Sequence, residues 1–152
     1  MTMLPDGISL ACLDVTQDAA AIHAADQCAF AESSGYAPTT LAAFCQEHLA
    51  SPDLAPQLSP VVRRGEPVVG FALCRRGHDS LGLVNLLAVD QAERRRGLGT
   101  ALLLTAFVAF ARAGCSRVRL DVATDNSSAL ALYGRLGMTA RHRVDVLEKP
   151  MT

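Results

Sequence analysis

The chain lacks most of the devices that would set it apart from an ordinary globular protein. Its five cysteines (Cys12, Cys28, Cys45, Cys74 and Cys115) are odd in number and widely spaced, with no CxxC pair. That excludes a disulfide framework, a zinc finger and a thioredoxin-like site, and leaves reduced thiols acting as small apolar fillers. There is no excess of either charge: fourteen basic and fifteen acidic residues give a net charge of −1. A near-neutral chain is not built as a general nucleic-acid binder or a polybasic membrane binder. The longest apolar run, 101–111, falls well short of the roughly 18 residues that span a bilayer. The first fifteen residues lack a basic stretch and carry Pro5, Asp6 and Asp14, unlike a secretory signal. The expectation is a cytoplasmic protein with no metal, no nucleic-acid partner and no membrane partner.

Half of the 152 residues are hydrophobic, and a chain of this length buries about 68–70% of its unfolded surface without a staple. No repeat, linker or low-complexity tract interrupts it, so a single domain, 1–152, is expected. Residues 8–15 alternate as a first strand. Asp18 can cap a helix reaching about Glu32, with Ile22, Ala25 and Ala29 at helical spacing. The stretch 33–38 breaks it, Pro38 or Thr39 restarts a helix through 41–50, and the three-proline segment 51–60 is a loop. Two apolar runs around Gly65-Glu66-Pro67 read as a hairpin. Leu81–Val89 is apolar apart from Asn85, as suits a central strand buried on both faces.

A hydrophilic connection leads through Gly97-Leu98-Gly99-Thr100 into a long helix ending near Ala113 and closed by Gly114. This helix is apolar on nearly all sides, so other elements or a partner chain should cover its back, which leaves room for a homodimer. Arg117–Val122 alternates as a strand, Asn126 opens a helix closed by Gly137, and 138–149 supply one or two final strands.

Chemistry concentrates at Arg94-x-x-Gly97-x-Gly99, which follows a strand and opens a helix. Glycines let backbone approach a ligand closely, and the unpaired N–H groups of a first helical turn favour an anion, above all a diphosphate. Arg94, Arg95 and Arg96 add positive charge at the same point. Other phosphate motifs fail. Gly77 and Gly82 have P-loop spacing, but Leu83-Val84 stands where Lys-Ser/Thr is needed. A dinucleotide fingerprint would place its glycines directly after the strand, whereas 90–96 intervene here.

The segment LLAVDQAERRRGLGTALL, with Asn126, Ala129, Tyr133, Gly137 and Met138 about 25 residues later, resembles the GNAT superfamily of acetyl-CoA-dependent N-acetyltransferases. In that family an R/Q-x-x-G-x-G/A turn opens the main helix, and an N-x-x-A-x-x-x-Y-x-x-x-G-F/M block follows the next strand. The resemblance covers about 58–149. It implies an α+β fold with a mixed, mostly antiparallel, splayed sheet of six to seven strands flanked by four helices. Departures from the pattern are mild: Asp90-Gln91 replaces a common Asp-Pro, and Met138 replaces Phe.

The resemblance also implies roles. Arg94, Arg95, Arg96, Gly97, Leu98, Gly99 and Thr100 would hold the diphosphate of acetyl-CoA. The edge formed by Leu87, Ala88 and Val89 would pair with the pantetheine arm, with a backbone N–H near Leu87 polarising the thioester carbonyl. Tyr133 would protonate the departing thiolate. Asn126 is a helix cap, a CoA contact with Ala129, or both. The acceptor would be a small-molecule or peptide amine. The C-terminal half is similar both to mycothiol synthase-type and to ribosomal-protein alanine acetyltransferase-type members. The general base stays open between Glu32, His48, His78, Asp79, a water chain and an acceptor that needs none. A CoA-binding sensor or non-catalytic GNAT-like module is the alternative.

Overall fold

A computed structural model describes residues 4, 6–31, 37–93, 97–121, 139–140 and 146–150, the last two segments as backbone. Asn126, Ala129, Tyr133, the arginine triplet 94–96 and the helix expected after Asn126 lie outside the described residues. The sheet runs β1 (Ile8–Cys12), β2 (Pro60–Arg64), β3 (Val68–Arg76) and β4 (Leu81–Val89), each antiparallel to the last. β5 (Arg117–Asp121) then joins β4 in parallel, and the backbone of β7 (Val146–Pro150) and β6 (Thr139–Ala140) continues the sheet antiparallel beyond it. The mixed, mostly antiparallel character expected from the sequence is present.

Both faces are covered at the centre. On one side α1 (Val15–Phe30) packs on β3 and β4, burying Ile22, Ala25 and Ala29 with Phe44, Phe71, Leu73 and Ala88. On the other side α3 (Leu98–Arg112) packs on β2, β3 and β4, and Leu103, Phe107 and Phe110 meet Ala72, Cys74 and Val84. Successive β3 residues therefore point into opposite cores, which is why that strand is apolar without alternation. A fully buried phenylalanine such as Phe110 is worth about 1.5–3 kcal/mol of transfer energy. The ring also needs Gly82 beneath it, because a Cβ there would lie 2.5 Å from a ring carbon.

Two helix expectations are corrected. The N-cap of α1 is Asp14, whose carboxylate accepts from the Gln17 N–H at 3.1 Å. Asp18 instead turns inward, accepts from the Asp14 N–H at 2.9 Å and pairs with Arg63 on β2. Burial beside an arginine draws it off the capping position. The second helix also starts later. Thr40 caps the short α2 (Leu41–Phe44), which widens into a π turn over Cys45–Leu49. On α3, Leu104 and Val108 stay exposed, so the expected cover on its back is not seen among the described residues. They line an apolar groove of about 910 Å³ that also touches Leu10, Cys12 and Leu58.

β4 carries the feature that shapes the site. Leu73 pairs with Leu86 but the next residue, Cys74, pairs with Val84, so Asn85 is an extra residue in the ladder. Such a bulge bends and twists its strand. The parallel pairing with β5 spans only Leu81 to Val84 and stops at that point. Asp121, one residue past the last β5 partner, pairs with Val146 on its other side. The splay begins at Asn85.

Candidate active site

The alternation of an antiparallel ladder fixes where the backbone groups of β4 point beyond the bulge. Asp90 donates its N–H to the Val69 carbonyl at 2.8 Å, so these two form a hydrogen-bonded pair. Stepping back in register, Ala88 and Leu86 turn their backbone groups toward β3, while Leu87 and Val89 turn theirs toward the β5 side. Among the described residues, Leu86, Leu87 and Ala88 have no ladder partner on that side. Leu87 thus presents an N–H and a carbonyl into the gap where the strands part.

The N-terminus of α3 follows shortly after the end of β4. Gly97 occupies the N-cap with φ +81° and no side-chain cap, and a Cβ added there would meet nothing within 4 Å. The first intrahelical bond runs from the Ala101 N–H to the Gly97 carbonyl at 2.9 Å. The N–H groups of Leu98, Gly99 and Thr100 precede it, so none has a partner within the helix. An uncapped, positively polarised helix end reached across open space suits a diphosphate. Leu98 itself is buried against Leu102, Val62 and Val69, which anchors the turn to the sheet.

A second anchor was not visible in the sequence. The 3₁₀ turn Gln91–Glu93 directly precedes the arginine triplet, and Glu93 is buried within it. Arg64 on β2 grips that carboxylate through Nε and Nη2 at 2.6 and 2.9 Å. The pairing raises the Arg64 pKa further, the hydrogen bond to Glu93 being the main cause. Nothing in the spacing of residues 64 and 93 announces a contact that the sheet creates.

On the α1 face, the bulge turns Asn85 toward the π turn, where its Nδ2 lies 3.4 Å from His48 Nδ1. The His48 ring rests against Phe44 at 4.8 Å between centroids, and its Nε2 is 3.9 Å from Glu47 Oε2. Asp26 on α1 feels the charges of His48, His23 and Glu47, and burial raises its carboxyl above 3.8 despite a hydrogen bond from Gln27. Of the expected base candidates among the described residues, His48 is the one brought to the splay. His78 and Asp79 sit in the β3–β4 turn, at the opposite end of β4 from Val89. Glu32 lies outside the described residues. Among the described residues no group of three or more His, Cys, Asp or Glu could hold a metal, and no helix is long and apolar enough to cross a membrane.

The model of the acetyltransferase (GNAT) family matches residues 19–138. The N-alpha-acetyltransferase 30 of Xenopus laevis is 37% identical over 93 residues, covering 59% of this chain and 34% of its own length. A mycothiol acetyltransferase of Streptomyces bingchenggensis is 28% identical over 151 residues, covering 99% of this chain and 48% of its own. The chain therefore spans from about a third to about half of these curated relatives. Among solved structures, the ribosomal-protein-S18-alanine N-acetyltransferase of Escherichia coli superposes with a TM-score of 0.76 at 20% identity, covering 95% of this chain and 94% of that one. The PaiA N-acetyltransferase of Thermoplasma acidophilum, in complex with coenzyme A, superposes at 0.72 with 16% identity, covering 94% and 98%. The chain belongs to the GNAT acetyltransferase family.

Proposed function

We propose that the chain is an N-acetyltransferase that moves the acetyl group of acetyl-CoA to a primary amine by direct attack in a ternary complex. The observation that carries this reading is the split between β4 and β5. It begins at the Asn85 bulge and leaves the Leu87 backbone facing a gap. A thioester supplies an activated acetyl carbon, and the chain has only to bind, orient and manage protons.

The described residues fit acetyl-CoA. The approach at Gly97, open among the described residues, and the first-turn amides of Leu98, Gly99 and Thr100, which have no partner within the helix, suit its diphosphate. The edge that runs along Leu87, Ala88 and Val89 would take the amide groups of its arm, with the Leu87 N–H and carbonyl facing them as an extra strand would. The Leu87 N–H then lies where it can stabilise negative charge on the reacting carbonyl oxygen. In this reading Arg94, Arg95 and Arg96 would add phosphate contacts, Asn126 and Ala129 would contact the cofactor, and Tyr133 would give its proton to the departing sulfur. We place these residues in a single domain, 1–152, with six to seven strands and four helices.

The PaiA structure, solved with coenzyme A, supports the choice of co-substrate. The relatives named for protein N-termini and for mycothiol support an amine acceptor. The test is free CoA released by the full chain across a panel of peptide N-termini, amino sugars and polyamines. Amine-dependent release is expected. Tight acetyl-CoA binding without release from any acceptor would replace the enzyme with a CoA sensor.

A further inference from the structure

The splay has an acceptor side as well as a co-substrate side, and its polar groups are few. The bulge places two consecutive residues, Asn85 and Leu86, on the α1 face: Asn85 touches His48, and Leu86 packs into the core beneath α1. The π turn brings His48 there. Its wide loop closes through the Ala50 N–H and the Cys45 carbonyl at 2.8 Å, a local expansion of the kind that recurs at functional positions. Phe44, buried in the core, supports one face of the His48 ring. The His48 side chain remains 21% exposed, so one edge stays open to a ligand. His23, by contrast, spends its Nε2 on the Thr39 carbonyl at 2.7 Å.

We infer that His48 is the group that takes the proton from the acceptor's ammonium, and that Asn85 positions it. This deepens the acetyltransferase reading and rests on it. The role requires the Asn85 amide to turn from the placement that sets Nδ2 against His48 Nδ1, so that Oδ1 accepts from Nδ1–H and the Nε2 lone pair is left free. His48 Nε2 accepts one proton from R–NH₃⁺. The freed amine forms the new C–N bond, the C–S bond breaks with its electron pair on sulfur, and sulfur gains a proton from Tyr133. The second proton on nitrogen restores Tyr133 through solvent, and His48 returns its own to water. The sum is an amide, a free thiol and one proton.

The charged groups around His48 suit both states of this cycle. Asp26 on α1 and Glu47 on the same turn carry the negative charge that a cationic acceptor and then an imidazolium need. Arg75 on β3 also reaches this turn, but donates to the Glu47 backbone carbonyl at 3.4 Å. The site therefore selects an amine that is charged in solution and has little negative charge beside it.

The experiment measures kcat/KM against pH for the acceptor that gives the most CoA release, with acetyl-CoA affinity measured separately by calorimetry. For His48→Gln we expect kcat/KM to fall by about 10²–10⁴-fold. The acidic limb belonging to a histidine should disappear, with acetyl-CoA affinity unchanged. Asn85→Ala leaves His48 in place and should move that limb, which a merely structural Asn85 would not. If wild-type chain turns over and both variants keep its pH profile and rate within about twofold, the His48 assignment is wrong while the enzyme reading stands. If wild-type chain releases no CoA with any amine, both fail together.

Discussion

Arg64 and Glu93 join β2 to the turn that leads into α3, through two hydrogen bonds of 2.6 and 2.9 Å to one buried carboxylate. Two parallel bonds fix direction as well as distance. The pair therefore sets where the chain leaves β4 and where the arginine triplet begins.

Glu93→Gln keeps the shape of the side chain but removes the charge that Arg64 pairs with. We expect a lower Tm and weaker acetyl-CoA binding together, because both depend on the course of 91–97. Thermal melts and calorimetry on the same preparation check this. A lower Tm with unchanged affinity would confine the pair to stability.

Gly82→Ala tests the contact between β4 and α3. The new methyl would sit 2.5, 2.7 and 2.9 Å from three carbons of the Phe110 ring, which is fully buried. Overpacking of this kind costs about 1–3 kcal/mol, read as a lower denaturant midpoint with an unchanged slope. The double variant Gly82→Ala/Phe110→Leu should recover part of the loss.

Asp26 gives a pH signature. Burial raises its carboxyl above 3.8, so the folded chain holds that proton more tightly than the unfolded chain does. Its contribution to stability is then full below 3.8 and is lost as pH rises through the folded value. Asp26→Asn removes the cost of a half-buried charge. The variant should melt higher than wild type near neutral pH, with the gap closing on acidification. Melts across pH 4 to about 7 would show it, and a gap that widens toward acid would reverse the sign.

Tyr133→Phe removes one hydroxyl and keeps the ring. If Tyr133 protonates the leaving sulfur, kcat should fall by about 10²–10³-fold while KM and acetyl-CoA affinity change little. A Tyr133 that only packs would alter Tm and spare kcat.

Much of this was legible in the sequence because it is written in local pattern. The β4 bounds, the hairpin at Gly65-Glu66-Pro67 and the helix opening at Gly97 all follow from periodicity and glycine placement. What escaped depends on contacts between distant segments. Asn85 shows as the single polar residue of its strand, yet its role as a bulge exists only in register with Leu73 and Cys74. Asp18 looks like a cap until Arg63, far along the chain, claims it. His48 was one base candidate among several until the π turn set it beside Asn85.

The central claim is that acetyl-CoA lies along the open edge of β4 with its diphosphate on the first turn of α3. Titrating the ¹⁵N-labelled chain with acetyl-CoA and following backbone amide signals tests it most directly. The signals of Leu87 and of Gly97 through Thr100 should move together with one affinity, while those of β1 stay still. In Gly99→Val the same titration should leave them unmoved in a chain that remains folded. Shifts confined to the groove lined by Leu10, Leu104 and Val108, or unchanged affinity in folded Gly99→Val, would contradict the account.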